Sequence, residues 1–305
     1  MTCINDNRLN PSRRHPNHDK LHKVRPLITF LNNTIRKPYT ASVDESTIPF
    51  KRWSSHKQYM PLKPVKRGYK VWYLADSKTG YVIKFDIYTG KSNDGCTENS
   101  LGEHVVISLT QDLKYSNSLV AFDNFVTKVN LMQMILNSGI YSIGTVRANW
   151  KGLPSMMKDK CTLKRGEFQF QFKRGTAVIK WMDNKTVAIL TTSDNPSDTT
   201  LVSRKNRGGT TSMVTCPTAV ATYNTIMGGV DHFYQLRERY AIGRRFRKWW
   251  HRILYFLLDM AVVNAFIMYK TNKGLEGYDE QLNFRLRLAK QLIDGFTSRK
   301  KNDIQ

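Results

Sequence analysis

Acidic residues are scarce in this chain of 305: 24 Asp and Glu stand against 48 Lys and Arg, a formal net charge of +24 at pH 7. An imbalance of that size points to a polyanionic partner, either nucleic acid or an anionic membrane surface. Cysteine is sparser still. Cys3, Cys96, Cys161 and Cys216 form no C-x-x-C pair, so the usual structural zinc spacings are missing and no zinc is expected. The length excludes a small disulfide scaffold, and a reducing compartment fits such cysteine usage. The first twenty residues lack the apolar run of a signal peptide. The one membrane-like stretch, residues 253–268, is short of a span and carries Asp259 and Asn264, so it reads as a buried helix. No membrane partner is expected, and nucleic acid becomes the leading one. What the chain does have is 40% hydrophobic and 11% aromatic residues, enough for a real core and too many for wholesale disorder.

Residues 1–38 are polar, basic and broken by Pro11, Pro16, Pro26 and Pro38. Only Leu21, Val24, Leu27 and Ile28 share a helical face, which suggests a flexible lead-in carrying the tail end of another domain. The texture then changes. Residues 39–43, 69–75 and 81–87 are rich in β-branched and aromatic side chains and are separated by turn formers, predicting three successive strands. A helix follows, with Val105, Val106, Leu109 and Leu113 on one stripe, then a buried strand at 118–122. A second helix over 126–136 and a fifth strand at 141–146 complete the order β-β-β-α-β-α-β, which predicts a mixed sheet with helices packed on it. Residues 150–212 interrupt this rhythm. Phe168, Phe170 and Phe172 alternate as in a half-buried strand, and 177–181 with 186–191 form a hairpin, so the stretch reads as an inserted β-containing subdomain. Residues 193–209 are turn formers and basic groups. Helices resume at Thr218, break at Gly228-Gly229, restart around Asp231, and continue over 249–270 and 280–296.

Three aspartates stand out by position. Asp44 ends the first strand, Asp123 ends the apolar run 118–122, and Asp231 opens a helix. Carboxylates at the ends of neighbouring strands, met by a third from a helix, make an oxygen cage for hard cations such as Mg²⁺. Two ions about 4 Å apart could then serve phosphoryl chemistry. Alone, Asp231 could equally be a helix N-cap and Asp44 a plain strand end. Asp123 is harder to explain so, because a charge after SLVAF is costly unless exposed or paired.

An ordered set of short stretches stands out: Asp19-Lys20-Leu21 with Lys23-Val24-Arg25-Pro26; Val43-Asp44-Glu45-Ser46; Lys63-Pro64 with Lys66, Gly68 and Lys70; Leu101-Gly102-Glu103; Asp123-Asn124-Phe125; Gly144-Thr145-Val146-Arg147; and Tyr223-Asn224 with Gly228-Gly229-Val230-Asp231. Through them the chain resembles the transposase core of piggyBac-type elements. The resemblance implies an α/β, ribonuclease H-like mixed sheet flanked by helices, interrupted by an inserted subdomain. It carries the three catalytic and metal-holding aspartates onto Asp44, Asp123 and Asp231, with two Mg²⁺ or Mn²⁺ ions. The implied reaction is hydrolysis at transposon ends, hairpin formation by the freed 3′-hydroxyl, and joining to TTAA target DNA. Many members carry a further aspartate three positions after the third; here that position is Tyr234.

Under that reading residues 1–38 are the remnant of a dimerisation and DNA-binding domain, 39–149 and 213–272 the two parts of the core, 150–212 the insertion, and 273–305 a C-terminal helix and basic tail. A cysteine-rich end-recognition domain is missing, so a gene fragment, a decayed copy and a domesticated host protein are all open. The competing expectation is accordingly a non-catalytic, sequence-nonspecific DNA-binding protein.

Two basic patches are expected to meet double-stranded DNA. Residues 51–70 hold seven Lys and Arg and no acid, among them Lys51, Arg52, Lys66 and Arg67, interleaved with Trp53, Tyr59 and Tyr69. Arg244, Arg245, Arg247 and Lys248 precede Trp249 and Trp250. Cations contact phosphates and an aromatic can stack on an unpaired base; the resemblance associates Trp249 with the flipped base of the hairpin, while Trp250 reads as a core anchor. Arg204, Lys205 and Arg207 form a smaller basic loop that could touch flanking DNA. His15, His18 and His22 read as part of a polar tail. A nuclear location and a homodimer complete the expectations.

Overall fold

The computed structural model of the chain describes residues 4–33, 37–61, 63–90, 98–148, 150, 152–157, 163–206, 208–242, 247–274 and 280–294. Where β-branched and aromatic residues dominate, strands form: β1 (Thr40–Pro49), the short β2 (Gln58–Tyr59), β3 (Arg67–Asp76) and β4 (Val82–Ile87). The helix α2 (Glu98–Thr110) leads to β5 (Leu119–Phe122), and α3 (Val129–Asn137) to β6 (Tyr141–Thr145). β3 is antiparallel to β1 and to β4, whereas β1, β5 and β6 run parallel. The resulting order β4-β3-β1-β5-β6 is the mixed sheet expected, with helices as the crossovers that parallel pairs require.

The segment expected to form an inserted subdomain is indeed rich in strands, but most of it extends the core sheet. β7 (Phe168–Lys173), β8 (Thr176–Met182) and β9 (Thr186–Thr191) form a meander, and β9 pairs antiparallel with β6. An open edge at β6 would leave a row of backbone groups unpaired, and β9 fills it. β7 becomes the new edge, so Phe170 and Phe172 are exposed rather than half-buried. Residues 193–209 also contain more than turns: β10 (Thr199–Lys205) pairs with β11 (Thr211–Pro217) in a separate hairpin.

The remaining helices are α1 (Arg25–Asn32), α4 (Thr218–Ile226), α5 (Gly229–Arg239), α6 (Trp249–Lys273) and α7 (Glu280–Ile293). Leu21, Val24, Leu27 and Ile28 are buried in the same core as β1, β3 and α6, so the N-terminal segment is docked on the sheet rather than trailing from it. α6 is long and apolar enough to cross a membrane by length and composition alone. It is a core helix: Ile253, Phe256, Leu257, Met260, Val263, Phe266 and Ile267 are buried. At about 1.5–3 kcal/mol for each such side chain, this face is a principal anchor of the fold. Asp259, buried among them, accepts the Ile242 N–H at 3.1 Å and faces Arg237 of α5 at 3.8 Å. α4 covers a second cluster formed with β5, β6, β8, β9 and β11. There Cys216 is buried as a free thiol; the other three cysteines lie outside the described residues.

Candidate active site

β1 and β5 are parallel and in register up to Val43 opposite Phe122. The next residue on each is an aspartate: Asp123 leaves β5, whereas Asp44 does not end its strand as the sequence predicts but lies midway along β1, which continues beside β3 to Pro49 after the parallel pairing with β5 stops. The backbone sets both carboxylates. Asp44 accepts the N–H of Glu45 at 2.7 Å. Asp123 accepts the N–H of Phe125 at 2.9 Å, while the Thr127 hydroxyl donates to the Asp123 carbonyl at 2.6 Å and Arg147 reaches Asn124 at 3.2 Å. Gly144 permits this turn, because a Cβ there would meet Thr127 Oγ1 at 2.4 Å and the Phe122 carbonyl at 2.7 Å. This turn also delays α3, which begins three residues later than its apolar pattern predicts.

Burial pushes the Asp44 carboxyl up to about 6, aided by the charges of Glu45 and Asp123 and opposed by the Glu45 N–H and by Lys63. Asp123 is also raised, first by burial and then by Glu45, against its own backbone hydrogen bonds and Lys63. Carboxyls held in this way are relieved by a cation.

Asp231 is on the first turn of α5, where the positive end of the helix favours a carboxylate. The helix starts at Gly229 with Gly228 as its cap, so Asp231 is not the N-cap. It stays exposed. α5 nevertheless lies across β1 and β3 and is pinned on the face that carries Asp44. Gly229 packs on Ser42, and the Tyr234 hydroxyl hydrogen-bonds Ser46; Ser42, Asp44 and Ser46 share one side of β1 by the period of two. On the helix Asp231 projects about 60° from Tyr234. The structure thus brings Asp44 and Asp123 together and leaves Asp231 exposed on α5, apart from them.

Sequence reasoning missed the rest of the site. Glu45 holds Lys63 at 3.2 Å and Lys70 at 3.8 Å. Tyr223 of α4 approaches Thr145 Oγ1 at 3.5 Å, and its phenol is raised by burial and, more weakly, by the charges of Asp123 and Asp44. Lys63, Lys70 and Tyr223 all fall in the short stretches that carried the resemblance, the one signal that could have found them.

The donor set of Asp44 and Asp123 suits a hard cation, being all-oxygen and charge-strained. Among the described residues, however, no three His, Cys, Asp or Glu side chains lie close enough together to hold a metal ion.

A basic cleft of about 600 Å³ lies between the N-terminal segment and the loop that follows β1. The two patches that were distant in sequence converge there, with the His56 ring edge-on to Trp249 at 5.5 Å and Trp53 82% exposed. Arg13, Lys20 and Lys23 form the opposite wall. Their charge is felt: His56 is lowered by burial and then by Lys20, Arg13 and His18. Lys51, Arg52, Lys66, Arg67, Arg247 and Lys248 are exposed, whereas Trp249 and Trp250 are partly packed on the core. Lys23 sits 5.3 Å over Trp250. Arg244 and Arg245 lie outside the described residues, as does Arg207. Arg204 lies on β10 rather than in a loop, pairs with Asp183 at 3.0 Å and lies over Trp181.

Comparison with known proteins agrees with this geometry. Residues 2–266 match the family described as Transposase IS4. PiggyBac transposable element-derived protein 3 of Homo sapiens is 30% identical over 287 residues, spanning 89% of this chain and 47% of that protein. PiggyBac transposable element-derived protein 2 of Homo sapiens is 28% identical over 266 residues, spanning 83% and 45%. The chain therefore spans about half the length of the curated relatives it matches. Among solved structures, the piggyBac transposase in a synaptic complex with hairpin DNA superposes with a TM-score of 0.73 at 24% identity, covering 87% of this chain and 56% of that one. That likeness fixes the fold as the ribonuclease H-like α/β type.

Proposed function

The chain belongs to this transposase family, and on that premise we propose that it is a DNA-processing protein of piggyBac type, cleaving and joining strands at a site built on Asp44, Asp123 and Asp231. The observation that carries the reading is that Asp44 and Asp123 directly follow the last parallel pair of β1 and β5, Val43 opposite Phe122. These two would hold Mg²⁺ or Mn²⁺, two ions in all, with Asp231 completing the set from α5. Divalent ions bound there supply an activated attacking oxygen and charge stabilisation for the leaving oxygen. The chain's own contribution is placement. The turn at 123–127 fixes Asp123, Ser46 and Tyr234 hold α5 beside Asp44, and Tyr223 closes the pair on the α4 side.

DNA would lie along the basic cleft. Lys51, Arg52, Lys66, Arg67, Arg247 and Lys248 contact phosphates in this reading, joined by Arg244 and Arg245, and Trp249 stacks on an unpaired base. Hairpin formation, joining at TTAA, action as a homodimer and a nuclear location belong to the same proposal.

The test is incubation of the protein with a duplex carrying a nicked, TTAA-flanked end, in Mn²⁺ and in EDTA. Metal-dependent hairpin or joined product that disappears in Asp123→Asn, with DNA binding nearly unchanged, is the expected result. Product that survives Asp123→Asn would overturn the assignment. One observation favours a second reading, a DNA-binding protein without catalysis: Asp231 stands apart from the other two carboxylates. That reading predicts DNA binding, no product, and no stabilisation by Mn²⁺ that depends on the aspartates.

A further inference from the structure

We propose that Lys70 is a positioning residue for the candidate site, a cross-brace that ties together the two residues whose backbone N–H groups hold Asp44 and Asp123. The inference rests on the reading of that pair as a metal site and adds to it the residue that keeps its two halves in register.

Each aspartate is set by a nearby amide: Asp44 accepts the Glu45 N–H at 2.7 Å, and Asp123 the Phe125 N–H at 2.9 Å. The two supporting residues come from different elements, Glu45 from β1 and Phe125 from the turn after β5. The ladder between these strands ends at Val43 and Phe122, so past that pair it no longer ties one aspartate to the other. A side-chain link takes over where the ladder stops. Lys70 Nζ lies 3.8 Å from Glu45 Oε2 and 4.9 Å from the centre of the Phe125 ring. By the period of two, Glu45 projects from the face of β1 opposite Asp44. Lys70 therefore acts on the pair from behind, through the backbones of Glu45 and Phe125.

The brace is itself held firmly. Trp72, 1% exposed and opposite Glu45 in the β1–β3 register, is its floor: Nζ lies 4.1 Å over the Trp72 ring, and Trp72 stacks on Phe125 at 6.0 Å. The Lys70 side chain is only 17% exposed, and an ammonium over aromatic faces gains most where water is displaced. Glu45 Oε1 meets Lys63 at 3.2 Å, whereas Oε2 is buried and takes no hydrogen bond, so on that side Lys70 supplies the compensating charge. Partners that orient a metal ligand from outside are worth about 10- to 100-fold in metal affinity. Lys70 serves two ligands at once in this way.

The experiment titrates Mn²⁺ into the whole chain without DNA, reading the free-ion electron paramagnetic resonance signal and, separately, the melting temperature. Parent, Lys70→Met, Lys70→Arg, Phe125→Leu, the double variant Lys70→Met with Phe125→Leu, and Asp123→Asn are compared. The sign of the change decides. Removing a positive charge near a dication would by itself tighten binding, whereas lost alignment loosens it. The expected result is Mn²⁺ binding about tenfold weaker in Lys70→Met, with Lys70→Arg like the parent. Phe125→Leu changes no charge and alters a ring that is 42% exposed, so it should fold and show the same loss. The double variant should lose little more than either single change. A lower melting temperature with Mn²⁺ affinity unchanged, or tighter binding in Lys70→Met, overturns the proposal while sparing the metal-site reading. A parent that binds Mn²⁺ no better than Asp123→Asn overturns both.

Discussion

The hydroxyl of Tyr234 hydrogen-bonds the hydroxyl of Ser46, and Tyr73 joins them, 3.2 Å from Ser46 and 3.4 Å from Tyr234. Tyr234 follows Asp231 by three residues and Ser46 follows Asp44 by two, so the contact couples the backbones that carry two of the three candidate aspartates. Where the resemblance led one to expect a further carboxylate, this chain has a docking phenol. Tyr234→Phe should cost about 1 kcal/mol of stability, the worth of one hydrogen bond. It should also reduce the rise in melting temperature on adding Mn²⁺, because Asp231 loses its alignment. An unchanged Mn²⁺ effect would mean that α5 is positioned by its apolar face alone.

Asp44 makes stability depend on pH with a definite sign. Its carboxyl is raised to about 6 in the fold, from about 3.9 when unfolded. The folded state therefore prefers the protonated form, and that preference is complete below pH 4 and lost as pH rises through 6. Asp44→Asn should stabilise the metal-free protein at pH 7.5 by about 1–3 kcal/mol, with the advantage vanishing near pH 4. Urea unfolding of both proteins at the two pH values measures it, and an advantage independent of pH would contradict the burial of this group.

Gly229 brings α5 against the sheet by backbone contact. A Cβ there would meet Ser42 Oγ at 2.7 Å, the Asp76 carbonyl at 2.8 Å and Ser77 Cα at 3.0 Å. Gly229→Ala should destabilise by about 1–3 kcal/mol, although alanine is the better helix former by about 1 kcal/mol. Gly228→Ala, whose nearest neighbour is His232 Nε2 at 3.9 Å, is the control and should stay within about 1 kcal/mol of the parent. Equal effects at both positions in chemical denaturation would refute the close approach.

Arg237 and Asp259 hold α5 to α6 as a buried pair, 4% and 3% exposed, with the guanidinium 4.6 Å over Phe256 and 5.3 Å over Tyr234. Removing one partner strands the other's charge. Arg237→Met should cost about 3–5 kcal/mol, and the double variant Arg237→Met with Asp259→Leu should cost much less than the sum of the two single changes. Strict additivity in a thermal double-mutant cycle would show that the pair is not coupled.

Much of this arrangement could be read from the chain. The five core strands announce themselves through β-branched and aromatic runs, and Asp123 through the oddity of a charge after SLVAF. Gly228-Gly229 marks the break between α4 and α5. What stayed hidden depends on pairing between distant segments. The hairpin at 177–191 is legible, but nothing in it says that Thr191 will pair with Ile143 and prolong the sheet. β10 was obscured because Arg204 and Lys205 look like loop residues until Asp183 and Trp181 appear beside Arg204. Lys63, Lys70 and Tyr223 reach the site from a loop, a strand and a helix, with no common spacing to betray them. The basic N-terminal wall of the cleft reads as a tail because its apolar residues are few, although Leu21, Val24, Leu27 and Ile28 suffice to seat it.

The outer strand β7 has a bearing on handling the protein. Among the described residues it pairs only with β8, and it shows Phe170 and Phe172 at 43% and 60% exposure, a template on which a second copy could nucleate. A net charge of +24 keeps copies apart. A polyanion removes that repulsion as it binds. Titration with DNA should therefore be re-entrant: clear at low and high ratios, and turbid near charge neutrality, where the coats cancel and the bare edges meet.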